Sequence, residues 1–115
     1  MIRIVNDRTG DLLADRARRA DTVWTRLRGL IGRPPLQRGE GLVISPCNGV
    51  HTWFMRAAID VLLLDREHRV LHACPRLAPY RRSPIVWKAH AVVELAPGAA
   101  AATRVGDRLR LEGCE

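Results

Sequence analysis

The stretch that decides the fold is IDVLLLDREHRVLHAC, residues 59–74. Ile59–Leu64 is almost entirely apolar and Val70–Cys74 is mostly apolar, whereas Asp65–Arg69 between them is short and charged. Two apolar runs of strand length joined by a short polar segment are typical of a β-hairpin. The sequence therefore predicts two antiparallel strands here, with one turn between them.

Similar patterns extend toward both ends of the chain. Ile2–Asn6 and Leu12–Ala17 flank turn residues around Gly10 and predict an N-terminal hairpin. One α-helix is predicted over about residues 21–31, because Asp21 suits an N-cap and apolar residues follow it at helical spacing. Further strands are predicted at Leu42–Ser45, Val50–Phe54, Ile85–Leu95 and Arg108–Glu112. Many short strands with one early helix indicate a mainly β protein, a small barrel or sandwich, and we expect residues 1–115 to form a single domain.

The chain is strongly basic. It has 19 basic and 12 acidic residues, which gives a net charge of +7, and every basic residue except Lys88 is an arginine. Such a charge raises the question of nucleic acid or an anionic membrane as a partner. However, the arginines are spread along the whole chain, and no helix-turn-helix, RNP or zinc-finger motif accompanies them. The sequence therefore disfavours nucleic-acid binding and leaves a small molecule or a protein segment as the expected partner.

Other classes of protein are disfavoured by simple features of the chain. The longest apolar run, Val61–Leu64, is far too short to span a membrane. The first residues are charged and contain no apolar signal segment, so we expect a cytoplasmic location. Three widely spaced cysteines without a CxxC pair do not suggest a disulfide framework, and no cofactor is predicted.

The segment PCNGVHTWFMRAAID, residues 46–60, places polar groups among apolar ones. A carboxylate such as that of Asp60 is costly near a core unless it is paired or accepts several hydrogen bonds. One interpretation is that Asp60 anchors the loop at 56–59 by accepting backbone N–H bonds. The other is a dyad in which Asp60 orients His51 and raises its basicity, as an acid/base catalyst requires.

Cys47 lies four residues before His51, and a Cys–His pair is a candidate thiolate–imidazolium nucleophile. His72 and Cys74 are two residues apart, so they face the same side of a strand. These four side chains are chemically suited to tetrahedral zinc, but their spacings match no common zinc motif. Isolated, partly buried side chains are therefore the favoured interpretation, with the zinc site as its alternative.

Three functional hypotheses follow from this segment. The first is a binding module for a small ligand or peptide end, with an apolar pocket wall from Trp53 and Met55 and a counter-charge from Arg26 or Arg33. The second is an enzyme that uses His51 and Asp60, and the third is a structural or accessory protein that binds a partner. The cleft of the binding hypothesis lies around Cys47, His51, Met55 and Asp60.

Four blocks of the sequence, RLRGLIGR (26–33), GLVISPCNGVHTWFMRAAIDVLLLD (41–65), VVELAPG (92–98) and RVGDRLRL (104–111), together resemble the bacterial and archaeal family called domain of unknown function 192. The resemblance implies a compact, mainly β domain. It implies no reaction, because the family has no established activity. The positions that match the family's motifs are Arg26, Gly29, Leu30, Arg33, His51, Met55, Asp60, Glu94, Gly98, Gly106 and Asp107.

Overall fold

The computed structural model describes residues 1–20, 35–50 and 57–113. These residues form seven β-strands and no helix, so the mainly β class is confirmed. The helix predicted over residues 21–31 and most of the strand predicted at Val50–Phe54 lie outside the described residues. The strands are β1 (Ile2–Asn6), β2 (Leu12–Ala20), β3 (Glu40–Ile44), β4 (Ile59–Leu64), β5 (Val70–Leu77), β6 (Ala91–Leu95) and β7 (Leu109–Glu112).

All seven strands belong to one sheet, in the order β5-β4-β6-β3-β2-β1-β7. Neighbouring strands are antiparallel except for β2 and β3, which are parallel. The two edge strands approach each other at one end, where Arg69 and Arg108 form an isolated bridge. There the Val70 N–H donates to the Asp107 carbonyl at 2.8 Å. The sheet is therefore a half-barrel whose edges meet at one end.

Both faces of the central strands are buried. On β4 and β6, Leu62 and Val93 belong to one apolar cluster, and Leu63 and Val92 belong to a second cluster on the opposite face. The first cluster contains residues from all seven strands, so it fills the concave inner face of the half-barrel. The second lies on the outer face, where loop residues such as Val86 cover it. Because burial of one such side chain contributes about 1.5–3 kcal/mol, the two clusters stabilise these strands from both faces.

A buried polar cluster holds the turn before β7. The Asp107 carboxylate accepts hydrogen bonds from the Arg8 guanidinium, from Asn6 Nδ2 at 3.0 Å and from the Arg104 backbone N–H at 2.8 Å. The bond from Arg8, followed by those from Asn6 and Arg104, outweighs burial and lowers the pKa of Asp107 well below the usual range of an aspartate. This carboxylate therefore joins the end of β1 to the segment that enters β7.

Candidate functional site

Asp60 lies on β4 with its side chain on the inner face, and the residue is only 1% exposed. Its Oδ1 accepts the backbone N–H of Arg76 at 2.8 Å, and its Oδ2 accepts the backbone N–H of Ala100 at 2.8 Å. Two backbone donors offset part of the cost of burying a carboxylate. Asp60 thus connects β4 to two other segments, whereas the sequence suggested donors from the loop at 56–59.

One of these segments is an irregularity in β5. Ile59 pairs with Leu77 and Val61 pairs with Cys74, so Pro75 and Arg76 together stand opposite Asp60. Such a β-bulge bends the strand and redirects a side chain. Arg76 has a φ of 49°, a left-handed conformation that is uncommon for a residue with a side chain. The bond from the Arg76 N–H to Asp60 holds this conformation in place.

The redirected guanidinium of Arg76 lies over the turn that follows β6. A Cβ atom at Gly98 would stand 3.3 Å from Arg76 Nη2, and Gly98 itself has a φ of 89°. Glycine is favoured in this turn for two reasons. It permits the backbone conformation, and it leaves room for the arginine. The same turn supplies the Ala100 N–H that Asp60 accepts.

Arg76 lines a cleft of about 420 Å³, which we call the arginine cleft. Gln37, Arg38 and the turn residues 97–99 line the cleft as well. A second depression of about 270 Å³ shares Arg38 and Ala99 with it and is also lined by Arg16. Within residues 1–20, 35–50 and 57–113, neither Arg38 nor Arg76 forms a salt bridge. Both side chains are exposed, and both line the cleft.

The structure does not bring Cys47 to Asp60. Cys47 packs against the outer-face cluster, and its Sγ donates to the Gly49 carbonyl at 3.0 Å. Glu94, fully buried on β6, also points to the outer face, because its neighbour Val93 belongs to the inner cluster. The Cys47 thiol and the Asp60 carboxylate are thus on opposite faces of the sheet.

The remaining candidates divide into two groups. His72 and Cys74 pair with Leu63 and Val61, so both face the outer side of the sheet, as their spacing predicted. Burial raises the pKa of the Cys74 thiol. Among the described residues, no three His, Cys, Asp or Glu side chains are grouped so that they could hold a metal ion.

The second group lies outside the described residues, and its predicted roles stay predictions. It comprises Arg26, Arg33, His51, Trp53 and Met55.

Arg38 and Arg76 were not singled out by the sequence. The sequence pointed to Arg26 and Arg33 instead, and no motif distinguishes Arg38 or Arg76 from the other arginines. A usable signal was Pro75, because proline within a strand pattern commonly marks a bulge or an edge. A bulge at that point implies that the next side chain is redirected.

The half-barrel and its basic cleft place the protein among small β-domain proteins. The family profile of DUF192, described as Uncharacterized ACR, matches residues 4–111, and the chain belongs to this family. No curated protein matches the chain.

Two solved structures share the fold. One is a protein of unknown function from Novosphingobium aromaticivorans, with 20% identity, a TM-score of 0.79, and coverage of 95% of this chain and 82% of that chain. The other is a candidate transcription regulator from Sinorhizobium meliloti, with 19% identity, a TM-score of 0.72, and coverage of 96% of this chain and 91% of that chain. At such identities the likeness establishes the fold alone. Within the described segments, no helix has the length and apolarity that crossing a membrane requires.

Proposed function

We propose that the protein is a binding module whose arginine cleft receives the carboxylate or phosphate group of a small ligand or of a peptide end. The observation that carries the proposal is the geometry of Arg76. A buried carboxylate, Asp60, holds the backbone of this residue in a left-handed bulge, and the guanidinium lines a cleft shared with Arg38. A strained conformation held by a buried hydrogen bond is often a feature of a functional site.

The chemistry of the cleft favours an anion. A guanidinium is planar and always charged, and it binds carboxylate and phosphate with two parallel hydrogen bonds. Two such groups, Arg38 and Arg76, line one cleft without an acidic neighbour among its lining residues. A volume of about 420 Å³ is within the size range of pockets for small molecules. The adjoining depression is lined by Arg16, which pairs with Asp15, and it gives room for an elongated ligand such as the end of a peptide.

The proposal retains some of the residues that the sequence assigned to a binding cleft. Asp60 contributes by positioning the bulge and the turn rather than by touching the ligand. His51 and Met55 stay predicted contributors. Cys47 is not included, because it faces the opposite side of the sheet.

A structural role is the alternative that a specific observation favours. Both oxygens of Asp60 accept backbone N–H groups, which is what bracing of loops requires. The hypothesis of an enzyme with a His51–Asp60 pair stays a prediction, because His51 lies outside the described residues. The family description adds no reaction to either alternative.

A thermal-shift titration tests the binding proposal. Inorganic phosphate and a short peptide with a free C-terminal carboxylate are the probes, and the same peptide with an amidated C-terminus is the control ligand. A ligand at about 100 times its Kd stabilises the native state by about 2.7 kcal/mol, which is readily measured. We expect stabilisation by phosphate or by the free peptide, and none by the amidated peptide.

Matched variants locate the site. Arg76→Gln and Arg38→Gln should abolish the stabilisation, while Arg104→Gln, which removes the same charge from an exposed position outside the cleft, should preserve it. If all three variants lose the ligand-induced stabilisation equally, the effect is one of general charge, and the cleft is not the binding site. If neither phosphate nor the free peptide stabilises the unmodified protein, the binding proposal is wrong and the structural role is the better account.

A further inference from the structure

The segment between β5 and β6, residues 78–90, carries an unusual concentration of exposed apolar side chains, and we call it the Trp87 loop. Trp87 is 84% exposed, Ile85 is 62% exposed and Tyr80 is 52% exposed. Scattered exposed apolar residues are normal in soluble proteins, but three large ones within eight positions form a local feature. Large apolar side chains exposed close together in one loop are candidates for contact with a protein or a membrane.

Hydrogen bonds between Ser83 and Val50 hold the Trp87 loop in place. The Ser83 N–H donates to the Val50 carbonyl at 2.8 Å, and the Val50 N–H donates in return to Ser83 Oγ at 3.0 Å. Ser83 is itself buried. The exposure of the neighbouring apolar side chains is therefore a property of a fixed backbone.

The tip of the loop is a tight turn. The Val86 N–H donates to the Asn48 carbonyl at 2.9 Å, and the Ala89 N–H closes the turn on the Val86 carbonyl at 2.9 Å. Trp87 and Lys88 occupy the two central positions of this turn. An indole at the corner of an anchored turn projects outward, so it is presented to a partner instead of being packed against the protein.

Basic residues flank the apolar ones. Arg81, Arg82 and Lys88 are all exposed, and within residues 1–20, 35–50 and 57–113 neither Arg82 nor Lys88 forms an ion pair. Asp65 and Glu67 lie beside Trp87, but they are accompanied by Arg66 in the same depression. Four basic residues, Arg66, Arg81, Arg82 and Lys88, outnumber the two acidic ones, so the local charge is positive. This agrees with the net charge of +7 for the whole chain.

We propose that the Trp87 loop binds the surface of an anionic lipid bilayer. Trp87 and Ile85 enter the interface between headgroups and acyl chains, and the basic residues of the loop face the headgroup phosphates. Indole and phenol rings suit this interface because they combine an apolar body with a polar atom. Arginine and lysine next to such residues are typical of segments that lie on membranes.

Two features favour a bilayer over another macromolecule. A turn tip that carries one large, exposed side chain inserts into a deformable interface, whereas a protein interface has a broader surface with a well-packed centre. The aliphatic side chain of Ile85 cannot stack on a nucleic-acid base, whereas aromatic rings and guanidinium groups can. Each basic residue near an anionic surface raises membrane partition by about fivefold, so three of them supply a measurable preference for anionic lipid.

Vesicle co-sedimentation tests this proposal with the full chain. The probes are phosphatidylglycerol-containing vesicles, with pure phosphatidylcholine vesicles as the neutral control. We expect binding to the anionic vesicles that decreases with added salt, and little binding to the neutral ones. Trp87→Ser and Ile85→Ser should each reduce the binding at least several-fold.

The chain offers matched controls for both kinds of side chain. Val105 is 64% exposed in a different turn, so Val105→Ser removes a comparable apolar group from elsewhere on the surface. Arg82→Gln should weaken the binding by about fivefold, and Arg104→Gln by less. Equal loss in the loop and control variants would refute a role for this loop, as would absence of binding to anionic vesicles. Self-association that Trp87→Ser abolishes, without any vesicle binding, would assign the loop to contact with a second copy and overturn the proposal.

Discussion

Replacing Asp60 with asparagine should destabilise the fold far more than the same replacement at Asp65. Both carboxylates accept two backbone N–H bonds, but they use their oxygens differently. Asp60 accepts one bond on each oxygen, from Arg76 and from Ala100, whereas Asp65 accepts both bonds on Oδ1, from Glu67 and from Arg69. An asparagine has one oxygen and one NH2 group, so it can reproduce the second arrangement and not the first.

The magnitude follows from the bond that Asp60→Asn removes. A hydrogen bond to a charged group contributes about 1.5–3 kcal/mol, and a buried donor left unsatisfied costs about 1–3 kcal/mol. At position 60 the NH2 group would face a buried backbone N–H, so we expect a loss of about 2–4 kcal/mol. At position 65 both bonds persist on Oδ1, so we expect a loss of about 1 kcal/mol or less. Total stability is about 5–15 kcal/mol for a domain, so the first loss is a large fraction of it.

Urea unfolding followed by circular dichroism measures both variants against the unmodified chain. A loss of this size at position 60 should also lower Tm by about 10 °C, since 1 kcal/mol corresponds to about 4 °C in a domain of this size. The two replacements change the net charge equally, so charge alone cannot separate them. If Asp60→Asn and Asp65→Asn cost the same free energy of unfolding, the assignment of one donor to each oxygen of Asp60 is wrong.

Two further predictions concern titration and reactivity. The pKa of Asp107 is lower in the folded protein than in the unfolded chain, first because Arg8 donates to it, so its contribution to stability is present above the usual aspartate pKa and is lost as the pH falls below about 4. Arg8→Gln should therefore flatten the dependence of the urea midpoint on pH in the acid range, and an unchanged slope would contradict this account. Burial raises the pKa of Cys74, so in a variant that retains only this cysteine iodoacetamide should modify it more slowly in buffer than in unfolding urea at the same pH. Equal rates, followed by mass spectrometry, would show that the Cys74 thiol is exposed.

The local elements of this fold could be predicted well where apolar residues alternate or run together. The predicted bounds of β1 and β4, Ile2–Asn6 and Ile59–Leu64, are those of the structure. The strand predicted over Ile85–Leu95 was too long, because only Ala91–Leu95 pairs with neighbours. Residues 85–90 resemble a strand because Ile85, Val86 and Trp87 are apolar, yet Ile85 and Trp87 face solvent.

The opposite error occurred at β5, which continues to Leu77 although the prediction stopped at Cys74. Pro75 indicates the end of a strand, because proline lacks the N–H that a regular ladder needs. The strand tolerates it because the bulge opposite Asp60 absorbs the irregularity. Beyond the bulge, the Arg76 N–H donates to the Asp60 carboxylate and Leu77 pairs again with Ile59.

The sequence by itself determined the class of fold, most strand positions and the need of Asp60 for hydrogen-bond partners. Periodicity and the cost of a buried carboxylate are local properties, so both can be read from the sequence. Only the tertiary structure decided which strands are neighbours, including the parallel pair β2 and β3, and which face each candidate occupies. Cys47 and Asp60 are 13 positions apart in the sequence, yet the sheet lies between their side chains. Arg38 and Arg76 are 38 positions apart, yet they line one cleft. Pairing between distant strands sets these relations, and it depends on how apolar surfaces are buried together rather than on the order of residues along the chain.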